Sequence, residues 1–132
     1  MSRRRDPGLC CAMDALMIGL GDTACLTRAY DQADLARFGT LCGRSDGDGV
    51  PDPLIGALLS CVLGTRLPGP GTGWLKLDLA HHNWARVNEA LTARVTVTRL
   101  RPDKRLADLA CEVTGAEGRA IASGRALMLL SV

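Results

Sequence analysis

Aromatic side chains are scarce in this sequence of 132 residues, where they make up 3% of the composition. An excess of one charge is missing as well, because 16 basic and 14 acidic residues leave a net charge of +2. Nucleic-acid binding usually needs a basic stripe and stacking rings. The one basic run, residues 3–5, lies at the N-terminus, where we expect a solvated tail. We therefore expect no nucleic-acid partner.

The sequence also has only two histidines and no long apolar run. The two histidines, His81 and His82, have no second pair of metal ligands near them in sequence, so we expect no metal site and no cofactor. No apolar run reaches the roughly 20 residues that a membrane-spanning helix needs. Asp14 interrupts the apolar segment 9–20, which argues against a secretion signal. We therefore expect no membrane association.

Cysteine is present, but not in a spacing that indicates metal binding. No two cysteines form a Cys-x-x-Cys pair, and most lie inside apolar patterns. Such cysteines are typical of free buried thiols, which persist in a reducing cytoplasm. We expect a cytoplasmic protein without a disulfide framework. The six cysteines are Cys10, Cys11, Cys25, Cys42, Cys61 and Cys111.

Two helices are predicted in the first half of the chain. Asp31 is a suitable N-cap, Asp34 adds a second carboxylate, and apolar residues then recur at helical spacing until Gly43. The second helix, residues 53–63, reads PLIGALLSCVL, with Asp52 as its predicted cap and the glycine at position 64 as its stop. Because this helix is apolar on nearly every side, it must be surrounded by protein.

The rest of the chain alternates between apolar and polar residues, as half-buried strands do. Alternation runs through residues 74–79, 91–98, 107–113 and 119–130, with turn sequences RPDK and GAEG between the last three. A further strand is expected near residues 23–27. This pattern predicts an antiparallel meander with one apolar face.

Such a sheet can cover the apolar helix by curling around it, which is the α+β hotdog architecture. We expect a single domain over residues 1–132, with a flexible tail at residues 1–12. A lone wrapped sheet leaves an edge strand uncovered, so a dimer is expected.

Three segments resemble the MaoC-like (R)-specific enoyl-CoA hydratases and 3-hydroxyacyl-thioester dehydratases. They are residues 21–43 (GDTACLTRAYDQADLARFGTLCG), 58–72 (LLSCVLGTRLPGPGT) and 91–129 (LTARVTVTRLRPDKRLADLACEVTGAEGRAIASGRALML). VLGTRLPGPGT and RPDKR are the most specific parts. The resemblance implies a hotdog fold and an acyl-thioester substrate on coenzyme A or acyl carrier protein.

In that family an aspartate and a histidine, in a Gly-Asp-x-Asn-Pro-x-His segment after the first helix, perform acid–base chemistry on the substrate. A backbone amide at the start of the central helix, after a His-Gly pair, holds the thioester oxygen. Here Gly43 matches the first glycine, but Arg44 and Gly49 stand where the aspartate and histidine belong. Pro51 and Asp52 replace the His-Gly pair, and the segment between is shortened.

The resemblance implies substrate contacts at the start of the central helix and in the loop after it. A carboxylate at Asp52 should cap the amides that hold the thioester oxygen and repel the developing negative charge. We therefore expect the standard mechanism to fail. The substrate-contact positions implied are Asp52, Pro53, Leu54, Gly69 and Gly71.

Three residues could supply replacement acid–base groups. Asp46 and Asp48 lie close to the lost signature, although acidic and glycine residues there are also what a solvated turn needs. His81 continues the apolar face of its predicted strand, where the family usually has an aromatic residue. It could act in acid–base chemistry or be a satisfied structural histidine.

Three functions stay open. The first is a catalytically degenerate subunit that pairs with an intact MaoC-like homologue in fatty-acid or polyketide metabolism and helps to bind the acyl thioester. The second is a homodimeric dehydratase, isomerase or thioesterase whose relocated site uses His81 with Asp46 or Asp48. The third is a protein that binds an acyl thioester without converting it.

Overall fold

The computed structural model describes residues 18–43 and 49–130. Its strands are β1 (Thr23–Arg28), β2 (Gly73–His81), β3 (Leu91–Arg101), β4 (Leu106–Thr114) and β5 (Ala120–Leu129), and its helices are α1 (Gln32–Cys42) and α2 (Asp52–Thr65). The strands form one antiparallel sheet in the order β1-β3-β4-β5-β2. The predicted number and type of elements in these residues are confirmed.

Helix α1 begins as its sequence predicts. The Asp31 carboxylate accepts a hydrogen bond from the amide of Asp34 at 2.8 Å, and the Asp34 carboxylate accepts one from the amide of Asp31 at 3.0 Å. This reciprocal pair is a capping box. The bond from the Asp31 amide is the main reason that the pKa of Asp34 lies below its usual value. Gly43 ends the helix with φ at +77°, a left-handed conformation that glycine adopts without strain.

Helix α2 is the centre of the hydrophobic core. It contacts β1, β2, β3 and β4, and Ile55, Leu59 and Val62 are at most 1% exposed. On the facing side of the sheet, alternate residues of β3 and β4 are buried, as the period-two pattern predicts. Burial of one such aliphatic side chain contributes roughly 1.5–3 kcal/mol. The sheet covers one side of this helix, whereas Ala57 and Cys61 on its other side are exposed. The prediction that protein surrounds the helix is therefore confirmed only for the side that faces the sheet.

Both ends of α2 differ from the prediction. The N-cap residue is Pro51, and Asp52 lies inside the first turn with no side-chain cap bond at the helix start. The helix also continues past Gly64, because the amide of Arg66 still donates to the carbonyl of Val62 at 2.9 Å. A glycine permits a helix to end but does not require it when the backbone hydrogen bonds can continue.

The position of β2 also corrects the predicted meander. This strand pairs with β5 instead of β3, so only β3, β4 and β5 form a meander. Alternation shows which face of a strand is apolar, but it does not show which strand lies beside it. The β2–β5 pair is very close at Gly124, where an added Cβ would lie 1.7 Å from the carbonyl oxygen of Asp78. Because β2 is the last strand in the sheet order, its side away from β5 is a sheet edge.

The cysteines are less buried than predicted. The four described cysteines are free, and only Cys111 is buried. Burial raises the pKa of its thiol to about 11. Cys25, Cys42 and Cys61 are exposed, so the prediction of burial is wrong for these three. Cys10 and Cys11, like the predicted tail at residues 1–12, lie outside the described residues.

An ion pair between the buried Glu89 and the partly exposed Arg119 joins two loops at the end of the sheet where β2 finishes. The Glu89 carboxylate, 5% exposed, accepts hydrogen bonds from the amides of Arg86 (2.9 Å) and Ala116 (2.8 Å) and from the Arg119 guanidinium (2.5 and 2.6 Å). Burial opposes ionisation of Glu89, but these hydrogen bonds outweigh it and lower the pKa of the carboxyl group. Arg119 also donates to the carbonyl of Trp84. The β2–β3 connection is thereby fixed to the β4–β5 turn.

Replacing Glu89 with alanine should leave Arg119 and two backbone amides without their acceptor. We expect Glu89→Ala to lower the free energy of unfolding by about 2 kcal/mol, measured by urea denaturation, because two backbone amides lose their acceptor. Glu112→Ala, at an exposed position of β4, is the matched control and should change it by less than about 1 kcal/mol. Equal losses for the two variants would contradict a structural role for the buried pair.

Candidate functional site

His81 and Asp52 meet where β2 ends and α2 begins. Nδ1 of His81 lies 3.5 Å from Oδ1 of Asp52. The histidine side chain is 31% exposed and the aspartate side chain 57%, so the pair is open to solvent on one side. At this distance the two side chains form an ion pair whenever both ring nitrogens of His81 carry protons. The sequence predicts an acid–base role for His81 and a substrate contact for Asp52, but it does not predict that the two residues pair.

The start of α2 presents a backbone donor beside this pair. Pro53 has no N–H, and the amide of Leu54 donates to the carbonyl of Pro51 at 2.9 Å. The amide of Asp52 precedes the helical hydrogen bonds and has no acceptor within α2. Because the Asp52 carboxylate contacts His81 and makes no cap bond, the expectation that it blocks the helix amides is wrong.

Tyr30 supports the first turn of α2 from the opposite flank. Its hydroxyl donates to the carbonyl of Leu54 at 2.8 Å. The ring is 5% exposed, and burial is the main reason that the pKa of its phenol is raised. The guanidinium of Arg28 lies 4.7 Å from the ring centroid. These contacts fix the position of the helix start relative to β1.

A shallow groove of about 270 Å³ runs between α1 and α2. Its lining is largely apolar, and neither His81 nor Asp52 belongs to it. The lining includes Tyr30, Phe38, Leu41, Leu54, Ala57 and Cys61.

The structure separates the predicted substrate-contact residues into two places. Asp52, Pro53 and Leu54 form the first turn of α2, whereas Gly69 and Gly71 follow its other end. A helix of 14 residues is about 20 Å long at 1.5 Å per residue. One small site therefore does not contain all five residues. Asp46 and Asp48 lie outside the described residues, so their proposed role stays a prediction.

The chain enters α2 against the loop that follows β2. Gly49 forms an isolated bridge with Arg86, and the amide of Val50 donates to the carbonyl of Ala85 at 2.9 Å. A Cβ at position 49 would lie 3.3 Å from Cε3 of Trp84. Any side chain at this position would need the Trp84 ring to move.

Comparison with known proteins gives a consistent set of relatives, although no protein-family model matches. An (R)-specific enoyl-CoA hydratase of Rhodospirillum rubrum is 36% identical over 77 residues, covering 58% of this chain and 53% of that enzyme. A 3-hydroxybutyryl-CoA dehydratase of Methylorubrum extorquens is 43% identical over 54 residues, covering 41% of this chain and 34% of that enzyme. The chain thus matches about half or less of the length of these two relatives. An (R)-specific enoyl-CoA hydratase of Aeromonas caviae is 29% identical, covering 89% of this chain and 99% of that enzyme.

Solved structures agree with these relatives. An (R)-hydratase from A. caviae involved in PHA biosynthesis has a TM-score of 0.79 at 27% identity, covering 86% of this chain and 97% of that one. R-hydratase PhaJ1 from Pseudomonas aeruginosa has a TM-score of 0.83 at 23% identity, covering 89% and 85%. The chain is similar in sequence and in fold to (R)-specific enoyl-CoA hydratases, which supports a relationship to the MaoC-like hotdog hydratases. The predicted hotdog fold is confirmed.

More distant members of the fold include a two-protein assembly. The ChsH1–ChsH2 complex from Mycobacterium tuberculosis matches with a TM-score of 0.69 at 12% identity, covering 85% of this chain and 98% of that one. At this identity the match supports the hotdog fold alone. None of the helices in the described part of the chain is both long and apolar enough to cross a bilayer.

Three of the described residues bear on the departures from the MaoC-like pattern that the sequence predicts. Gly49, at the position expected for the histidine, lies against Trp84. Asp52, at the position expected for the second residue of the His-Gly pair, begins α2, and His81, at the position expected for an aromatic residue, ends β2. The last two replacements are the ones that meet at the start of α2.

The Tyr30 hydroxyl should contribute to the stability of this helix start. We expect Tyr30→Phe to lower the free energy of unfolding by about 1 kcal/mol, because the Leu54 carbonyl loses a buried donor. Thr40→Ala removes a comparable hydroxyl-to-carbonyl bond, 3.0 Å long, at an exposed position of α1, and should cost less than about 0.5 kcal/mol. Urea denaturation compares the two, and a Tyr30→Phe effect no larger than the control's would contradict this role.

Proposed function

We propose that this chain is an acyl-thioester-binding subunit of the hydratase family, acting on enoyl or 3-hydroxyacyl groups attached to coenzyme A or acyl carrier protein. Fatty-acid or polyketide metabolism is the proposed setting. The observation that carries the proposal is the open start of α2, where the Asp52 amide has no acceptor in the helix and no side chain caps the turn. An amide at the positive end of a helix is suited to hold a thioester oxygen.

The family's own acid–base chemistry is not expected from this chain. Arg44 stands at the position of the family aspartate, and its guanidinium stays protonated, so it cannot act as a base. Gly49 has no side chain at the position of the family histidine. We infer that a homologue with the intact aspartate and histidine supplies the chemistry, while this chain contributes part of the acyl-thioester site. The ChsH1–ChsH2 complex, one chain of which shares this fold, supports the idea that a hotdog-fold protein can assemble with a different protein.

The free edge of β2 is the proposed contact surface for the second subunit. This strand is nine residues long, and within the described sheet it pairs only with β5. Trp74 and Leu75 are 48% and 53% exposed, and Trp84, just beyond the strand, is 74% exposed. An exposed apolar edge with unpaired backbone groups is suited to pairing with a strand of another subunit. The second subunit is a homologue in the leading proposal and another copy of this chain in the alternative.

The alternative is a homodimeric thioester enzyme with a relocated acid–base site. The His81–Asp52 contact at 3.5 Å favours it, because a carboxylate that orients a histidine is a common arrangement for proton transfer. In this alternative, Asp52 takes the place of Asp46 or Asp48 as the carboxylate partner of His81. For either function we propose a cytoplasmic location, where the exposed thiols stay reduced.

Hydration of a crotonyl thioester distinguishes the two functions. We expect the purified chain alone to give no turnover above buffer, measured as loss of enoyl absorbance. An intact MaoC-like homologue from the same genome, co-expressed with this chain, should form a defined one-to-one complex that turns the thioester over. Failure to bind any such homologue would contradict the leading proposal. Turnover by the chain alone that is lost in His81→Ala would establish the alternative instead.

A charge on the β2 edge should prevent subunit pairing. We expect Leu75→Lys to shift the complex, or the homodimer, to separate monomers in size-exclusion chromatography with light scattering, because pairing would bury the added charge. Leu20→Lys changes a leucine that is 64% exposed and lies beside β1 and β3 instead of β2, so it should leave assembly unchanged. Unaltered assembly of Leu75→Lys would show that subunits contact another surface.

A further inference from the structure

One ring nitrogen of His81 remains available for a ligand. Nδ1 is the nitrogen that faces Asp52, and among the described residues Nε2 makes no hydrogen bond. The neighbouring histidine is different, because Nε2 of His82 lies 2.7 Å from the hydroxyl of Ser123. The two histidines therefore have different environments although they are adjacent in sequence.

A protonated histidine can donate from both ring nitrogens. When both ring nitrogens of His81 carry protons, Nδ1–H faces the Asp52 carboxylate at 3.5 Å and Nε2–H is a second donor. The same turn presents the amide of Asp52, which has no acceptor within α2. Two donors of this kind suit a single oxygen that carries, or develops, negative charge.

We propose that Nε2–H of His81 donates a hydrogen bond to the thioester carbonyl oxygen of the bound acyl group, beside the amide of Asp52. This inference rests on the proposed function, since it names a binding residue of the same site. It assigns the histidine a role in holding substrate that does not depend on the lost signature residues.

The proposal also explains how an aspartate is tolerated at the start of α2. A lone carboxylate there would repel the partial negative charge of the thioester oxygen. Paired with a protonated His81, 3.5 Å away, it adds no net charge. The two replacements should therefore depend on each other: either one without its partner is unfavourable for substrate binding.

This dependence can be tested by comparing a single and a double substitution at the two positions. His81→Phe, which restores the aromatic residue usual in the family, should weaken thioester binding by about tenfold or more, because a charged hydrogen bond is lost and Asp52 is left unpaired. The double variant His81→Phe/Asp52→Gly removes that unpaired charge as well. It should bind the thioester more tightly than His81→Phe alone, so the two substitutions are not additive.

Isothermal titration with butyryl-CoA tests the proposal, since this saturated thioester cannot be hydrated. His82→Phe is the matched control and should bind like the wild type, and thermal unfolding of each variant shows whether it is folded. Coenzyme A without an acyl group is the control ligand, because it lacks the thioester oxygen and should bind His81→Phe and wild type equally.

The outcomes separate this inference from the proposed function. Wild-type binding with a loss in His81→Phe and partial recovery in the double variant supports it. Equal butyryl-CoA affinity of wild type and His81→Phe overturns the role of His81 and leaves the proposed function standing. If the wild type binds no butyryl-CoA, alone or in the complex with its homologue, the proposed function fails and this inference fails with it.

Discussion

The burial of α2 is the constraint on which the rest of the structure depends. Its side chains are apolar on nearly every face, and a helix of this kind is stable only when protein covers it. The antiparallel sheet supplies that cover by presenting alternate buried residues from β3 and β4. The space between the two layers is filled mostly by leucine, valine and alanine side chains. The hotdog arrangement is one way to meet this requirement.

The position of the candidate site is a consequence of the same packing. With α2 packed against the sheet, its first turn lies at the end of β2, and the last residue of that strand meets the first residue of the helix. The Glu89–Arg119 pair fixes the adjacent loops, and Tyr30 fixes the first turn from the other flank. The polar groups of the site are therefore held by elements that the hydrophobic core has already placed. A donor held this way loses little freedom when substrate binds.

Much of the fold could be predicted from the sequence because the patterns involved are local. The cap at Asp31, the left-handed Gly43 and the alternation in β3 each depend on neighbouring residues. The pairing of β2 with β5 could not be predicted, because alternation is the same for any neighbour. The Asp-Pro pattern predicts Asp52 as the N-cap, but the N-cap is Pro51 and Asp52 is the first residue of the helix. The sequence pattern does not show that this helix begins without a side-chain cap.

The site was predicted only in part, for a similar reason. His81 and Asp52 were each recognised as unusual positions, but they are far apart in sequence, and only the packing of β2 against α2 brings them together. The loop glycines Gly69 and Gly71 were grouped with them although they follow the opposite end of the helix. A resemblance to a family identifies single residues, but it does not give the distances between them that define a site.

A crystal structure of the protein with bound butyryl-CoA would test the central claim most directly. The account predicts the thioester oxygen at hydrogen-bond distance, about 3 Å, from both the Asp52 amide and Nε2 of His81. A thioester bound elsewhere, for example along the groove between α1 and α2 with its carbonyl remote from the start of α2, would contradict it.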